Sequence, residues 1–255
     1  MTLANLTKST NLDGEDIQDF KTRLKRQVQQ LLPSDKNPII VSSFGRAGST
    51  LVYNALVDAM AEYRFGYRTR ITKALSHDTA WTIAEKNFKE GVIYKSHDFP
   101  SQNLSDQGVR AVFLFGSAVE AALSVNLMLE TRGKAWVKSH FKHLKRPVNM
   151  ENLLTHDSLG IYDQAFSWFG CTTSPVLCLN YDALWDNEDF LSDFTGLNVK
   201  LPIKIKRAPK DFPKATIKQA EHTYSSIDYA LKKLPAAFYA SSEYAVMFKN
   251  ACKYD

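Results

Sequence analysis

Apolar residues recur every three or four positions from Glu15 onward, at Ile17, Phe20, Leu24, Val28 and Leu31. That spacing describes one face of an amphipathic helix ending before Pro33. The next segment, Pro38 to Phe44 (PIIVSSF), is a short apolar run opened by proline and reads as a buried strand. Leu51, Ala55, Leu56, Ala59 and Met60 restore the helical period. Further along, 67–73 reads as a strand, 77–89 as a helix and 91–95 (GVIYK) as a strand. Residues 109–115 (VRAVFLF) form a continuous apolar run, the signature of a strand covered on both faces. A helix over 117–129 with Ser117 near its start follows, then helix 161–170, a buried strand over 175–179, helix 182–194 and a helical tail over 214–250. Strands alternating with helices predict an α/β fold with a central parallel sheet flanked by helices, plus N- and C-terminal helices. No repeat or long linker interrupts the pattern, which predicts a flexible 1–13 and a single domain over 14–255.

Composition narrows the partners. At 255 residues, 44% hydrophobic and 23% charged, the chain can bury a sizeable core without disulfides or metal. Its net charge of +5 suits an anionic ligand and is too small to indicate nucleic acid. No apolar run approaches the roughly 18 residues of a membrane span, and MTLANLTKSTNLDGED lacks the order of a signal peptide. Cys171, Cys178 and Cys252 form no CxxC pair, and an odd, sparse set of thiols points to a reducing, cytoplasmic compartment. Of six histidines only His140 and His143 sit at helical spacing, so no metal site is expected.

The chemistry concentrates in Ser42 to Thr50 (SSFGRAGST), between the first buried strand and an amphipathic helix. Gly45 and Gly48 permit positive φ and close backbone approach, while Ser49 and Thr50 bring hydroxyls and unpaired N–H groups to the helix start. Arg46 adds a permanent cation with a planar fork of donors, completing a cradle for phosphate or sulfate. The nucleotide-triphosphatase motif GxxxxGK[ST] does not fit, because it would place Ser43 at its first glycine and Ser49 at its lysine. A plain strand-to-helix turn with a surface arginine is the alternative. Downstream, Tyr94 to Pro100 (YKSHDFP) closes a strand on the edge where open α/β sheets bind ligands. His97 there is a candidate proton acceptor and Lys95 a candidate electrostatic helper, against the alternative of a hydrogen-bonded structural histidine beside Asp98.

Taken in order, these segments resemble the sulfotransferases that use 3′-phosphoadenosine 5′-phosphosulfate (PAPS), whose first motif is approximately Tyr-Pro-(Lys/Arg)-Ser-Gly-Thr-Thr; Phe44 to Thr50 is similar. The resemblance implies a three-layer P-loop-like fold, a sulfuryl transfer from PAPS to a hydroxyl or amine acceptor, and no metal. It also implies that Arg46, Ala47, Gly48, Ser49 and Thr50 hold the 5′-phosphosulfate, that His97 is the base and that Lys95 and Arg46 act on the transferring group. Val176 to Trp185 resembles the family's strand ending in Tyr-Glu-Asp, with Asp182 capping the next helix.

One station departs. The family's Arg-x-Pro-x-Asp-x-x-x-Ser, which binds the 3′-phosphate, aligns on Ser124 with glutamate at the aspartate, alanine at the proline and Gly116 at the arginine. Ser124 keeps its implied 3′-phosphate role, and the missing charge-assisted contact needs a substitute. Lys204, Lys206, Arg207 and Lys210 are candidates, with Arg132 and Lys134 further ones. The stretch Trp136 to Arg146 reads as a solvated basic helix face, with binding of an acidic acceptor or nucleic acid as the alternative. The aromatics between Tyr224 and Phe248 read as core and interface of the C-terminal helices, with the lining of an acceptor pocket as the alternative. A kinase-like nucleotide-dependent transferase and a degenerate anion-binding protein remain the alternatives.

Overall fold

The computed structural model describes residues 22–25, 27–29, 31–205 and 212–252. The chain divides into two compact units, 1–33 and 34–255. In the first, the described residues between 22 and 31 are helical (α1), so the helix ends before Pro33 as its spacing predicts. Residues 1–13, expected to be flexible, lie outside the described residues.

The second unit is built on six strands: β1 (Ile39–Ser43), β2 (His77–Thr79), β3 (Ile93–Lys95), β4 (Arg110–Phe115), β5 (Val176–Asn180) and β6 (Ala237–Tyr239). They form one sheet in the order β2-β3-β1-β4-β5-β6, with β1 to β5 parallel and β6 antiparallel to β5. Side chains alternate across the pleat, so each central strand feeds two apolar layers. Ala111, Phe113 and Phe115 of β4 pack with Trp168, Tyr224 and Phe248 on one face. Val112 and Leu114 pack on the other with Val52, Leu56 and Met60 of α2 (Ser49–Phe65). Burying a side chain of this size contributes about 1.5–3 kcal/mol, which is why the continuous run 109–115 settles in the middle of the sheet.

On the first face lie α5 (Ala118–Arg132), α6 (Lys134–His143), α7 (Ile161–Phe169), α9 (Lys214–Lys233) and α10 (Ser242–Ala251); α8 (Glu188–Thr195) joins α2 on the second. The short α3 (Arg70–Leu75) and α4 (Gln102–Asp106) flank the β2–β3 edge. β1 pairs with β3 on one side and β4 on the other, so the chain reverses its direction of travel across the sheet there. In open parallel sheets the crevice beyond the strand ends at such a reversal is where ligands bind. Everything that follows beyond Ser43, Lys95 and Phe115 opens onto that crevice.

Several expected elements differ. Residues 67–73 are a turn followed by the start of α3, because Thr69 and Thr72 close a reciprocal capping box there. Ile71, inside the segment expected as a strand, is 73% exposed. The 77–89 segment is not one α-helix: His77–Thr79 joins the sheet beside β3, and only Ile83–Glu85 turns helically, as a single 3₁₀ turn. The chain there is held by Ser96 Oγ donating to Ala80 O (2.6 Å) and by Ile83 N donating to Asp98 Oδ2 (2.8 Å). Residues 182–194 begin as 3₁₀ turns before α8, and the side chain that caps them is Asn180, which accepts from Asp182 N (2.9 Å), rather than Asp182. The helical tail is split by β6. Among its aromatics Tyr224, Phe238 and Phe248 are buried, whereas Tyr229 and Tyr239 are exposed. All three cysteines are free thiols, with Cys171 and Cys178 buried. No helix among the described residues is long and apolar enough to cross a membrane.

Candidate functional site

The turn between β1 and α2 has the backbone that its glycines foretold. Gly45 (φ 87), Arg46 (φ 59) and Gly48 (φ 79) are all left-handed. For Arg46, which carries a Cβ, that conformation costs roughly 1–2 kcal/mol, and strain of this kind persists where the surroundings over-determine it. Gly48 is the N-cap of α2 and offers no side-chain cap, and no acidic residue occupies the first turn. The amide donors of Ser49 and Thr50 and the positive end of a 17-residue helix therefore face the crevice without an internal anion, while Leu51 N donates to Gly48 O (2.9 Å). Ser43 Oγ braces the turn by donating to Ser49 Oγ (3.1 Å) and accepting from Gly45 N (3.2 Å).

Lys95 and His97 meet this turn from the end of β3. Lys95 Nζ donates to Thr50 Oγ1 (2.5 Å). Burial lowers its pKa from the usual lysine value, and nearby Arg46 lowers it further. His97 Nδ1 lies 2.9 Å from the Ser43 carbonyl oxygen, an atom that can only accept. The proton therefore sits on Nδ1, and Nε2 is left with its lone pair, the arrangement a general base needs. Burial is the main cause of a His97 pKa pushed down from 6.5 to about 4, and Lys95, His143 and Arg46 add to it. Asp98 is no partner of that ring: its carboxylate accepts from Ile83 N and Phe99 N and so fixes the loop carrying Trp81. Trp168 Nε1 donates to the Asp98 carbonyl (3.1 Å), tying the same segment to α7.

Arg46, Gly48, Ser49, Thr50, Lys95 and His97 line one cavity of about 780 Å³. These residues thus come together from two separate parts of the chain. Ala47 is buried and borders a second cavity of about 530 Å³, which Arg46 also lines. Ser124 lines neither cavity; its Oγ accepts from Arg46 Nε (2.8 Å), so the residue expected at a 3′-phosphate serves here to hold the guanidinium. Arg132 and Lys134 are exposed and border neither cavity, Lys204 borders the second, and Lys206, Arg207 and Lys210 lie outside the described residues.

The 136–146 stretch corrects its reading as a solvated face. Trp136, His140 and His143 of α6 all border the main cavity, and His140 is only 7% exposed. Trp81 stacks on His143 (centroids 4.0 Å apart) and lies parallel to His97 (6.0 Å), while Trp136 stacks on His140 (5.1 Å) and sits under the Arg46 guanidinium (5.9 Å). His140 Nε2 is buried without a hydrogen-bond partner. The i, i+4, i+7 spacing of Trp136, His140 and His143 was the signal in the sequence, since it puts one indole and two imidazoles on one face. Trp81 left no such signal, because its place depends on Asp98 and Ser96 pinning a loop. No group of three or more His, Cys, Asp or Glu side chains among the described residues could hold a metal ion.

No family model and no curated protein matches this chain.

The cavity's cations have a measurable consequence. Burial also carries His140 from 6.5 down to about 3, with His97, Arg46 and His143 contributing. Both histidines are neutral when folded and take up a proton near pH 6.5 when unfolded, so the unfolded state binds more protons below that value. Their stabilising contribution is complete above pH 6.5 and is lost as pH falls toward about 4 for His97 and about 3 for His140. Because each pKa unit corresponds to about 1.4 kcal/mol, the pair is expected to lower unfolding free energy by about 3 kcal/mol between pH 7 and pH 5. Urea titrations at the two values check this; equal stabilities would show that neither imidazole is held neutral.

Proposed function

We propose that this protein is a transferase of the P-loop-like sulfotransferase type, moving a sulfuryl group from a nucleoside 5′-phosphosulfate to a hydroxyl or amine acceptor. PAPS is the donor that the family resemblance supplies. In this reading the Gly48–Thr50 amides, Arg46 and the Lys95 ammonium hold the sulfuryl and 5′-phosphate oxygens. His97 Nε2 takes the acceptor's proton as the acceptor atom bonds to sulfur. The bond from sulfur to the bridging oxygen breaks, and the nucleoside phosphate leaves with the electron pair, its new charge met by Arg46 and the α2 N-terminus.

One observation carries this reading: an uncapped helix N-terminus, two cations and a neutral, tautomerically fixed imidazole border one cavity that no carboxylate of the described residues lines. Entry of the donor's negative charge offsets the repulsion from Lys95 and Arg46, raises the His97 pKa and makes it a stronger base when it is needed. A phosphoryl transfer from a nucleoside triphosphate is the second reading, favoured by the glycine at 116. The same lack of a lining carboxylate counts against it, since Mg²⁺ is usually held through carboxylates as well as phosphates.

Thermal unfolding tests the seat. Sulfate, phosphate, adenosine 5′-phosphate, adenosine 3′,5′-bisphosphate and ATP are each added to the full chain, and saturating ligand at 100 times its Kd is expected to stabilise it by about 2.7 kcal/mol. Arg46→Ala is expected to remove the effect. If no oxyanion or nucleotide moves the midpoint, the turn is a plain connection and the transferase reading is lost.

A further inference from the structure

The second cavity, of about 530 Å³, shares Arg46 with the first and is walled by Tyr181, Trp185, Lys204, Gly116 and Ser117. Its aromatic pair meets edge to face (5.7 Å), and Lys204 sits over Trp185 (5.1 Å) while donating to the Asp182 carbonyl (3.1 Å). A flat, apolar-faced group linked to an oxyanion in the neighbouring cavity is the ligand this wall suits.

Charge distinguishes the two cavities. Arg46, Lys204 and Lys232 border the second one, and so do Glu120, Asp182 and Asp228, a balanced set. The anion position beside Gly116 is already filled from within. Asp228 of α9 accepts from Ser117 Oγ (2.7 Å) and from the amides of Ala118 and Val119, the first donors of α5. Burial raises the Asp228 pKa, while those hydrogen bonds and Lys232 act to lower it, so a carboxylate sits where a ligand phosphate would otherwise find amides and a hydroxyl. Gly116 is not required by its backbone: it is not left-handed, and an added Cβ would meet only Tyr181 Cβ, at an ordinary 3.5 Å. Lys232 acts on Asp228 from the same helix, and the carboxylate keeps the α5 amides.

We propose that the cavity beside Gly116 receives the nucleoside of a donor whose 3′ position carries a free hydroxyl and no phosphate, the Asp228 end of the cavity excluding a second anion. The donor class is then a nucleoside 5′-phosphosulfate lacking the 3′-phosphate. This rests on the oxyanion seat proposed above and replaces the PAPS that the family resemblance supplies with a donor that the cavity's own residues favour. A ribose hydroxyl can donate to a carboxylate edge, whereas a phosphate there meets like charge in a partly buried setting.

The test is calorimetric titration of the full chain with adenosine 5′-phosphate and adenosine 3′,5′-bisphosphate. The wild type is expected to bind the monophosphate at least as tightly as the bisphosphate. Asp228→Asn, which keeps an acceptor for the Ala118 amide, is expected to bind the bisphosphate about tenfold tighter than wild type with the monophosphate nearly unchanged. Gly116→Arg, placing a cation beside the same position without touching the cap, is expected to move the ratio the same way. A wild-type preference for the bisphosphate of tenfold or more overturns the donor assignment and leaves the oxyanion seat standing. Sulfate or phosphate binding with neither nucleotide bound also overturns it, while loss of all binding overturns the seat itself.

Discussion

His97→Ala is expected to lower turnover about 10²- to 10⁴-fold, the usual contribution of a positioned general base, with nucleotide affinity changed by less than about threefold. The asymmetry follows from the geometry. His97 meets the turn through its Nδ1 proton on the Ser43 carbonyl, while the anion-holding donors are Arg46, Lys95 and the α2 amides. His97→Asn supplies an amide donor for Ser43 without a ring base, so it separates lost chemistry from a loosened turn: turnover should stay low while the unfolding midpoint returns toward wild type. Turnover close to wild type in either variant would remove His97 from the reaction. The pH profile gives an independent reading. With a free-protein pKa of about 4, kcat/KM should hold as pH falls from 7 to 5 and drop only near 4. The kcat limb should lie higher, because the bound donor's negative charge favours the imidazolium.

Gly48→Ala is expected to lower oxyanion affinity about 100-fold and to destabilise the protein by roughly 3 kcal/mol. Two costs combine. The residue is left-handed at φ 79, and an added Cβ would lie 2.1 Å from Tyr181 Cδ2 and 2.4 Å from Cε2, inside the ring. Tyr181 would have to leave, and its ring is part of the wall of the second cavity. Gly66 supplies the control. It caps the other end of the same helix at φ 75 with nothing within 4 Å of its would-be Cβ. Gly66→Ala should therefore show only the backbone cost of about 1 kcal/mol, with oxyanion affinity unchanged. Equal losses in the two variants would mean that the close approach of Tyr181 to the turn has no bearing on binding.

How much of this was legible from the chain depends on how local each feature is. The 45–50 turn was, because two glycines, an arginine and two hydroxyl residues between an apolar strand and an amphipathic helix specify their own backbone. Lys95 and His97 were legible for a related reason: a buried strand ends there, and the ends of parallel strands share one edge of the sheet. The 67–73 segment misled because the Thr69–Thr72 capping box starts a short helix there and leaves Ile71 exposed. The 77–89 segment misled because its helical spacing is overruled by hydrogen bonds from Ser96 and Asp98, which the sequence puts some fifteen residues away.

The rest required distant segments to meet. Arg46 is held by Ser124 across 78 positions, and the α5 N-terminus is capped by Asp228 across 110 or more. Trp136, His140 and His143 reach the cavity because α6 packs its Val137–His140–Phe141 face onto the sheet's first layer, and Trp81 because Asp98 and Ser96 pin its loop. The helical spacing puts the first three on one face, but what that face meets is not encoded locally. A backbone bend or a strand's hydrophobic period is set by neighbours within a few residues, and so it can be read directly. The charge balance of a cavity is a sum over side chains brought from everywhere, and it takes a value only once the sheet has closed them together.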